Sequence, residues 1–456
     1  MDILSVFKNP ELLTIFTYAP AGLGHLRVTD ALYEGLPRET KSLLLGAHDA
    51  SVGTIHRLVS VHPGGRQFME WWQNGLPETL FTFVYRRWLR SHTAILYEQI
   101  TTILDQSLKS PKTVLFISTH FGLAHQIATL KARLERERHI RLLLVVQVTD
   151  DSPQQLWYVP GADLIVVPSD RTARRLTEFA KQLEVAVVPI RVASYPISLH
   201  LKDALSPLAR AKRFAQLSPG NSSQIHVSVP ISGAAVGLTY FSQLVDDLHH
   251  LNSRFQFHVI VKSTSYTRTF ISQMSRKPFV SLYTRTSDRE IVDTYQEVYS
   301  QKVIGLEITK PSEQAFKALV TPRQHGGAII LFSRAIGRQE FDNLDFLRRH
   351  NLIPLQSERD YLWNQALNLD TSQPTVNERI LNEAKNWRGV CIPDTAHQAA
   401  QFINWALAQG IFRQMYQCQV TPKGTDEHKH ELRGDGVRQF WNLVAELVTG
   451  NNGKTS

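Results

Sequence analysis

Ala19-Pro20-Ala21-Gly22-Leu23-Gly24-His25 stands between the apolar run Leu12 to Tyr18 and a segment, His25 to Glu34, whose apolar residues recur at helical spacing. A buried strand, a turn of small residues and then a helix is the opening unit of a parallel sheet with crossover helices. In such sheets ligands sit beyond the carboxyl ends of strands. Gly22 and Gly24 let a ligand approach the backbone, and the helix start offers unpaired N–H groups and the positive end of its dipole. His25 then stands at the mouth of this turn, with a titration range suited to proton transfer near neutral pH. A plain strand-to-helix turn whose histidine caps or packs has the same sequence, and the turn alone does not choose.

Outward from this turn, strand-length apolar runs alternate with helical patterns. After His25 to Glu34 come a strand Lys41 to Leu45, a long helical region from about Gly65 to Leu108, and a strand Thr113 to Ser118. Helix Leu123 to Arg136, strands Arg141 to Val148 and Leu164 to Val167, helix Arg171 to Gln182 and strand Val185 to Val188 follow. The polar stretch Leu201 to Ser223, with Pro207 and Pro219-Gly220, marks a boundary. A second series runs from strand Ile225 to Pro230 through strand Ala328 to Phe332 and helix Gln339 to His350, after which the chain reads as helical. The expected fold class is α/β, with a first Rossmann-like domain over 1–205, a second over 220–400, and helices over 401–449 packing back toward the first. A cleft between two doubly wound domains is expected from this layout.

The bulk composition narrows the function classes. At 456 residues the chain suits two cores. Apolar residues make up 43% and charged residues 20%, a globular composition. Two cysteines, Cys391 and Cys418, cannot build a disulfide framework or a cysteine-rich metal site, and the expected compartment is the cytoplasm. No run of about 18 apolar residues occurs, so any membrane contact is expected to be peripheral. The net charge of +9 suits a phosphorylated substrate or an anionic surface, and without a zinc-finger, RNA-binding or basic heptad pattern, nucleic acid is not expected as a partner.

Ser232-Gly233-Ala234-Ala235-Val236-Gly237 occupies in the second series the place that Gly22 to His25 occupies in the first. Small residues before a helix suit a diphosphate. With both loops in view, Gly22-Leu23-Gly24-His25-Leu26-Arg27-Val28-Thr29-Asp30-Ala31-Leu32-Tyr33-Glu34 resembles the N-terminal loop and helix of bacterial processive diacylglycerol glucosyltransferases and plant monogalactosyldiacylglycerol synthases, which are GT-B glycosyltransferases. Further segments keep the order of that family. They are Val148-Thr149-Asp150 with Trp157 and Val166 to Asp170, then Pro189-Ile190 through Tyr195-Pro196-Ile197, and then Ile308-Thr309-Lys310-Pro311 with Gly337-Arg338-Gln339-Glu340 and Asn343. The resemblance covers roughly residues 12 to 355, thinly between motifs.

The resemblance implies a GT-B fold and an inverting transfer of a hexose from a uridine-diphosphate sugar to a hydroxyl, with a membrane lipid such as diacylglycerol as acceptor. It implies that Gly233, Ala234 and Gly237 face the diphosphate, that Gln339 and Glu340 recognise sugar hydroxyls, and that Lys310, Glu313 and Asn343 complete the donor side. Gly22, Gly24 and Trp157 fall on the acceptor side, and His25 or Asp150 would handle the acceptor proton. Helix dipole and basic groups neutralise the departing diphosphate, so neither a metal nor a cofactor beyond the nucleotide sugar is obligatory. For Asp150-Asp151, a turn or helix cap and a metal pair stay open as alternatives.

Two departures matter. Lys310-Pro311-Ser312-Glu313 lacks the paired glycines of the family's donor loop, so Glu313 is either a replacement ribose carboxylate or an ordinary charge at a helix start. The second-domain loop carries Ala234 and Ala235 where the family is richer in glycine. A silent sugar-nucleotide or lipid-surface binder, and a GT-B enzyme with a soluble acceptor, are therefore the alternative functions. Finally, Trp71, Trp72, Arg86, Arg87 and Trp88 mix aromatic and cationic side chains as an anionic membrane patch does, or as packed helices with snorkelling arginines do.

Overall fold

A computed structural model of the chain describes residues 3–18, 23–37, 39–46, 82, 85–107, 110–182, 187–332, 337–367, 376–417 and 426–450. The chain divides into two compact units, Met1–Ser198 with Arg433–Ser456, and Leu199–Leu432. Each is built on a six-stranded sheet whose strand pairs are all parallel. This is the twofold Rossmann-like plan that the GT-B resemblance implied.

In the first unit β1 (Leu12–Tyr18) leads to α1 (Leu23–Glu34) and β2 (Ser42–Gly46), and α2 (Ala94–Asp105) precedes β3 (Thr113–Ser118). Then follow α3 (Phe121–Arg138), β4 (Arg141–Gln147), β5 (Leu164–Val167), α4 (Asp170–Gln182) and β6 (Ile190–Val192). The strand order is β2-β1-β3-β4-β5-β6, so the chain reverses its direction of travel across the sheet between β1 and β3. β1, β3 and β4 are apolar along nearly their whole length because both sheet faces are covered. Of the expected strand Val185 to Val188, Val185 and Ala186 lie outside the described residues and Val187-Val188 is not in a strand. Ile190–Val192 pairs with Ile165 to Val167 instead, and as a half-exposed edge strand it lacks the buried run by which a strand is recognised.

After a short helical turn at Leu199–Lys202, the second unit continues with α5 (Pro207–Leu217), inside the stretch read from sequence as a linker, where Ser206 caps the helix by accepting from Ala209 N and Pro207 takes its first position. β7 (Ile225–Pro230), α6 (Leu238–Leu251), β8 (Phe255–Lys262), α7 (Arg268–Met274), β9 (Val280–Arg285), α8 (Asp288–Gln301) and β10 (Leu306–Thr309) follow. A 3-10 turn at Glu313–Leu319 leads to β11 (Ala328–Phe332), α9 (Arg338–Arg349), α10 (Gln356–Leu367) and α11 (Glu378–Glu383). β12 (Gly389–Ile392), α12 (Ala396–Ala408) and α13 (Ile411–Tyr416) close the unit. The order β12-β11-β10-β7-β8-β9 puts this sheet's reversal between β7 and β10. β12 corrects the reading of the C-terminal part as wholly helical; four residues are too few to show a period. Its core joins Val227, Val229, Phe257 and Val259 of the sheet to Ala399, Phe402 and Ile403 of α12.

α12 and α13 thus belong to the second unit, and the return to the first begins at Arg433. There α14 (Gly436–Thr449) lays Trp441 against Phe7 and Phe16 at ring distances of 4.9 and 6.0 Å, and its indole N–H donates to Leu32 O at 2.9 Å. The seam is tight: a Cβ on Gly436 would stand 2.0 Å from Ser194 O, and one on Gly35 would stand 2.3 Å from Val437 Cγ1. No helix among the described residues is long and apolar enough to cross a membrane.

Candidate functional site

In the first unit the strand reversal brings together the end of β1, the start of α1 and the end of β3. His25, in the first turn of α1, donates from Nδ1 to Thr119 O at 2.6 Å, because a carbonyl only accepts. Thr149 Oγ1 lies 3.3 Å from the same nitrogen. The neutral ring therefore carries its hydrogen on Nδ1 and its basic lone pair on Nε2. The backbone here is also pinned: Thr29 Oγ1 donates to His25 O at 2.8 Å, Thr119 Oγ1 to the same oxygen at 3.2 Å, and the two hydroxyls lie 2.7 Å apart.

A second imidazole faces the first. His120, two residues past the end of β3, is buried and stands edge-on to His25 with ring centres 5.2 Å apart. Its Nδ1 caps α3 by accepting from Leu123 N at 3.4 Å, and its ring stacks on Phe121 at 4.8 Å. Burial, with a smaller contribution from the neighbouring His25, holds His120 well below the usual histidine range.

Trp157 lies against these rings, 6.2 Å from His25 and 5.5 Å from Phe121, nearly fully buried and with its indole N–H unpaired among the described residues. The turn that carries it is held by buried polar side chains. Arg86 donates from Nη2 to Gln155 O and Tyr158 O at 2.5 and 2.6 Å, and His125 Nε2 donates to Leu156 O at 3.1 Å. Burial, more than the nearby Arg90, lowers the Arg86 guanidinium to about 10, and burial, more than Arg86, lowers His125 to about 3. Arg86 therefore corrects the expectation of a membrane patch at this position. It is a buried clamp, whereas Arg87 and Trp88 are exposed, the latter stacked on Tyr85 at 5.8 Å.

Asp150 is half-buried, and the adjacent Asp151 is wholly buried. Asp151 Oδ1 accepts from Ser169 Oγ and from Thr172 Oγ1, the latter at 2.9 Å. Asp151 thus ties the loop after β4 to the start of α4 through two hydroxyls, while Ser169 Oγ accepts from Thr172 N at 3.2 Å. Gly22, Trp71 and Trp72 lie outside the described residues, while Gly24 sits half-buried in the first turn of α1.

The second unit repeats the arrangement at its own reversal. After β7, Ala235 N donates to Ser232 O at 2.8 Å, Ala235 takes the left-handed φ of 49°, and Gly237 at φ 83° starts α6 without a side-chain cap. The first N–H groups of this 14-residue helix thus receive no side-chain cap from Gly237. Tyr266, which sequence reading passed over, reaches from the loop after β8 and donates to Gly233 O at 3.2 Å.

Beyond β10, Lys310 and Glu313 are half-buried, and Glu313 is the first residue of the 3-10 turn. Asn343 is buried in α9 and donates from Nδ2 to Pro311 O at 3.1 Å, so it joins the Lys310-Pro311 segment to the helix bearing Gln339 and Glu340. Gln339 is half-buried and Glu340 buried in the first turn of α9. The turn is anchored from inside by Lys317, which contacts the Glu307 carboxylate of β10 and the hydroxyls of Tyr295 and Tyr299. His120, Tyr266 and Lys317 were absent from the sequence reading. For His120 the signal was available: like His25, it stands just past the carboxyl end of a strand.

No protein-family model and no curated protein matches the chain. Solved structures do resemble it. A UDP co-structure of Staphylococcus aureus MnaA is 10% identical over 98% of each chain, with a TM-score of 0.47. UDP-GlcNAc 2-epimerase from Neisseria meningitidis, bound to UDP-GlcNAc, is 8% identical over 95% of this chain and 99% of its own, at 0.47. Anabaena Alr3699/HepE, in complex with UDP and glucose, is 12% identical over 96% and 99%, at 0.45. Such distant similarities transfer neither a residue role nor an activity.

Proposed function

We propose that the chain is a GT-B enzyme that binds a uridine-diphosphate sugar, and that it is an inverting glycosyltransferase delivering the sugar to a hydroxyl acceptor. The observation that carries this reading is His25. It stands at the strand reversal of the first unit, within a segment resembling the glycolipid glycosyltransferases, with Nδ1 committed to Thr119 O and its basic lone pair on Nε2. A ring so fixed suits the removal of one proton from an acceptor hydroxyl. In that step the acceptor O–H bond breaks and its proton goes to His25 Nε2. The oxygen bonds to the anomeric carbon, and the bond from that carbon to the diphosphate breaks, its electron pair leaving with UDP.

On the donor side the charge of UDP would meet the uncapped start of α6, the Gly233 to Gly237 loop and Lys310, an arrangement that needs no obligatory metal. Gln339 and Glu340 would recognise the sugar, and Asn343 would hold the Lys310-Pro311 segment against their helix. Asp150 as the base is the competing assignment. A lipid acceptor at an anionic membrane surface is supported by the resemblance and by exposed Arg87, Trp88 and Arg90.

A panel of nucleotides tests the donor, since a ligand at a hundred times its Kd adds about 2.7 kcal/mol to stability. Uridine diphosphate is expected to raise Tm, and no shift with any nucleotide refutes the reading. Product analysis then separates transfer from epimerisation: transfer releases UDP only when an acceptor such as a lipid extract is present, whereas an epimerase isomerises the nucleotide sugar alone. Turnover is expected to collapse in His25→Ala, and turnover that survives there but is lost in Asp150→Ala moves the base to Asp150.

A further inference from the structure

We infer that His120 is a second ligand-facing imidazole, which donates a hydrogen bond from Nε2 to the oxygen that His25 deprotonates. The inference rests on the glycosyltransferase reading and extends it to a residue with no role there.

The backbone sets the two rings in opposite tautomers. Thr119 O takes the Nδ1 hydrogen of His25, which leaves Nε2 basic. Leu123 N–H donates to His120 Nδ1, so the hydrogen of a neutral His120 resides on Nε2. One ring presents an acceptor and the other a donor, with 5.2 Å between ring centres. His120 is more than nine-tenths buried, yet its Nε2 has no hydrogen-bond partner among the described residues.

The fold also makes room for this ring. A Cβ on Gly122 would stand 2.8 Å from His120 Cε1 and 3.1 Å from Nδ1, so the glycine is what lets the imidazole lie against the start of α3. The stack on Phe121 fixes its plane. Burial keeps the ring neutral, so it can donate without becoming a competing acid. A hydroxyl group fits, since it can accept from His120 while giving its proton to His25. A carbonyl oxygen has no proton for His25.

The test compares His120→Gln, which keeps an N–H donor, with His120→Phe, which keeps the ring and its stacking but not the donor. UDP release from UDP-glucose and other UDP-hexoses is measured with a total lipid extract as acceptor, alongside UDP affinity by titration calorimetry. His120→Phe is expected to lose at least tenfold in kcat with UDP affinity unchanged, and His120→Gln to stay within about threefold of wild type. Equal turnover in His120→Phe and wild type overturns the inference, as does a His120→Gln variant as inactive as His120→Phe. A wild type that binds no UDP overturns the underlying reading instead. Nitrogen-15 NMR of histidine-labelled full-length protein reads the tautomer without turnover, the His120 signals being those lost in His120→Gln. A hydrogen on Nδ1, or a ring that titrates between pH 6 and 8, overturns the inference whatever the activity.

Discussion

Replacing Lys317 by methionine tests how the contracted segment after β10 is held. Lys317 and Glu307 are 4% and 0% exposed, and the ammonium also meets the hydroxyls of Tyr295 and Tyr299. Tyr295 donates to the same carboxylate oxygen at 2.8 Å, and burial, more than Glu307 itself, holds the Tyr299 hydroxyl well above the usual tyrosine range. Methionine fills most of the volume but takes the ammonium away from the buried carboxylate. Breaking a buried pair in this way costs about 3–5 kcal/mol, far more than the pair itself contributes to stability. For a unit of this size, Leu199–Leu432, about 2–4 °C per kcal/mol gives a fall in Tm of roughly 6–20 °C. Adding Glu307→Gln removes the stranded charge and still accepts from the tyrosines, so the double variant should regain at least half of the loss. Calorimetry of the whole chain measures the transition, and hydrogen exchange with mass spectrometry assigns it to the second unit. A single variant that loses under 1 kcal/mol, or a double variant as unstable as the single one, refutes the reasoning.

Three further outcomes are expected. His125 binds its proton near pH 3 when folded but near 6.5 when unfolded, so its contribution is complete above pH 6.5 and is lost as pH falls toward 3, on the order of 4–5 kcal/mol. His125→Gln, which can still donate to Leu156 O, should flatten that acid slope in urea titrations at successive pH values, and an unchanged slope places the acid sensitivity elsewhere. Arg86→Met removes charge-assisted bonds to two carbonyls and should lower stability by about 2–4 kcal/mol, measured by denaturant unfolding, while Arg87→Met should stay within about 0.5 kcal/mol. Asp151→Ala removes the carboxylate that accepts from the hydroxyls of Ser169 and Thr172 and should cost about 1–3 kcal/mol, measured by denaturant unfolding.

Much of the fold was legible because a parallel sheet covered on both faces writes its strands as unbroken apolar runs. Thr113–Ser118, Leu164–Val167, Ile225–Pro230 and Ala328–Phe332 have the bounds read from sequence. What escaped lies where that signal fades. Ile190–Val192 is a half-exposed edge strand, Gly389–Ile392 is too short to show a period, and Pro207–Leu217 is a polar helix that sequence alone presents as a linker. At the site, the order of segments along the chain was readable, but the pairing of groups from separate strands was not. His25 meets Thr119, 94 positions away, and Arg86 meets Tyr158, 72 positions away. Arg86 also shows why a charged residue among aromatics misleads: Arg87 and Trp88 beside it are exposed, and only the tertiary fold shows that its own side chain points inward.

The placement of Gly436–Thr449 in the first unit has a consequence for how the chain comes to be folded during translation. The ribosome must deliver the entire second unit before it delivers the wall that Trp441 builds over Phe7 and Phe16. Until then the nascent N-terminal unit carries an uncovered apolar seam, with Leu32 O awaiting an indole 409 positions downstream. Transiently exposed apolar surface of this kind is what chaperones cover. A premature stop shortly before Gly436 would leave the second sheet complete and the first one permanently unfinished.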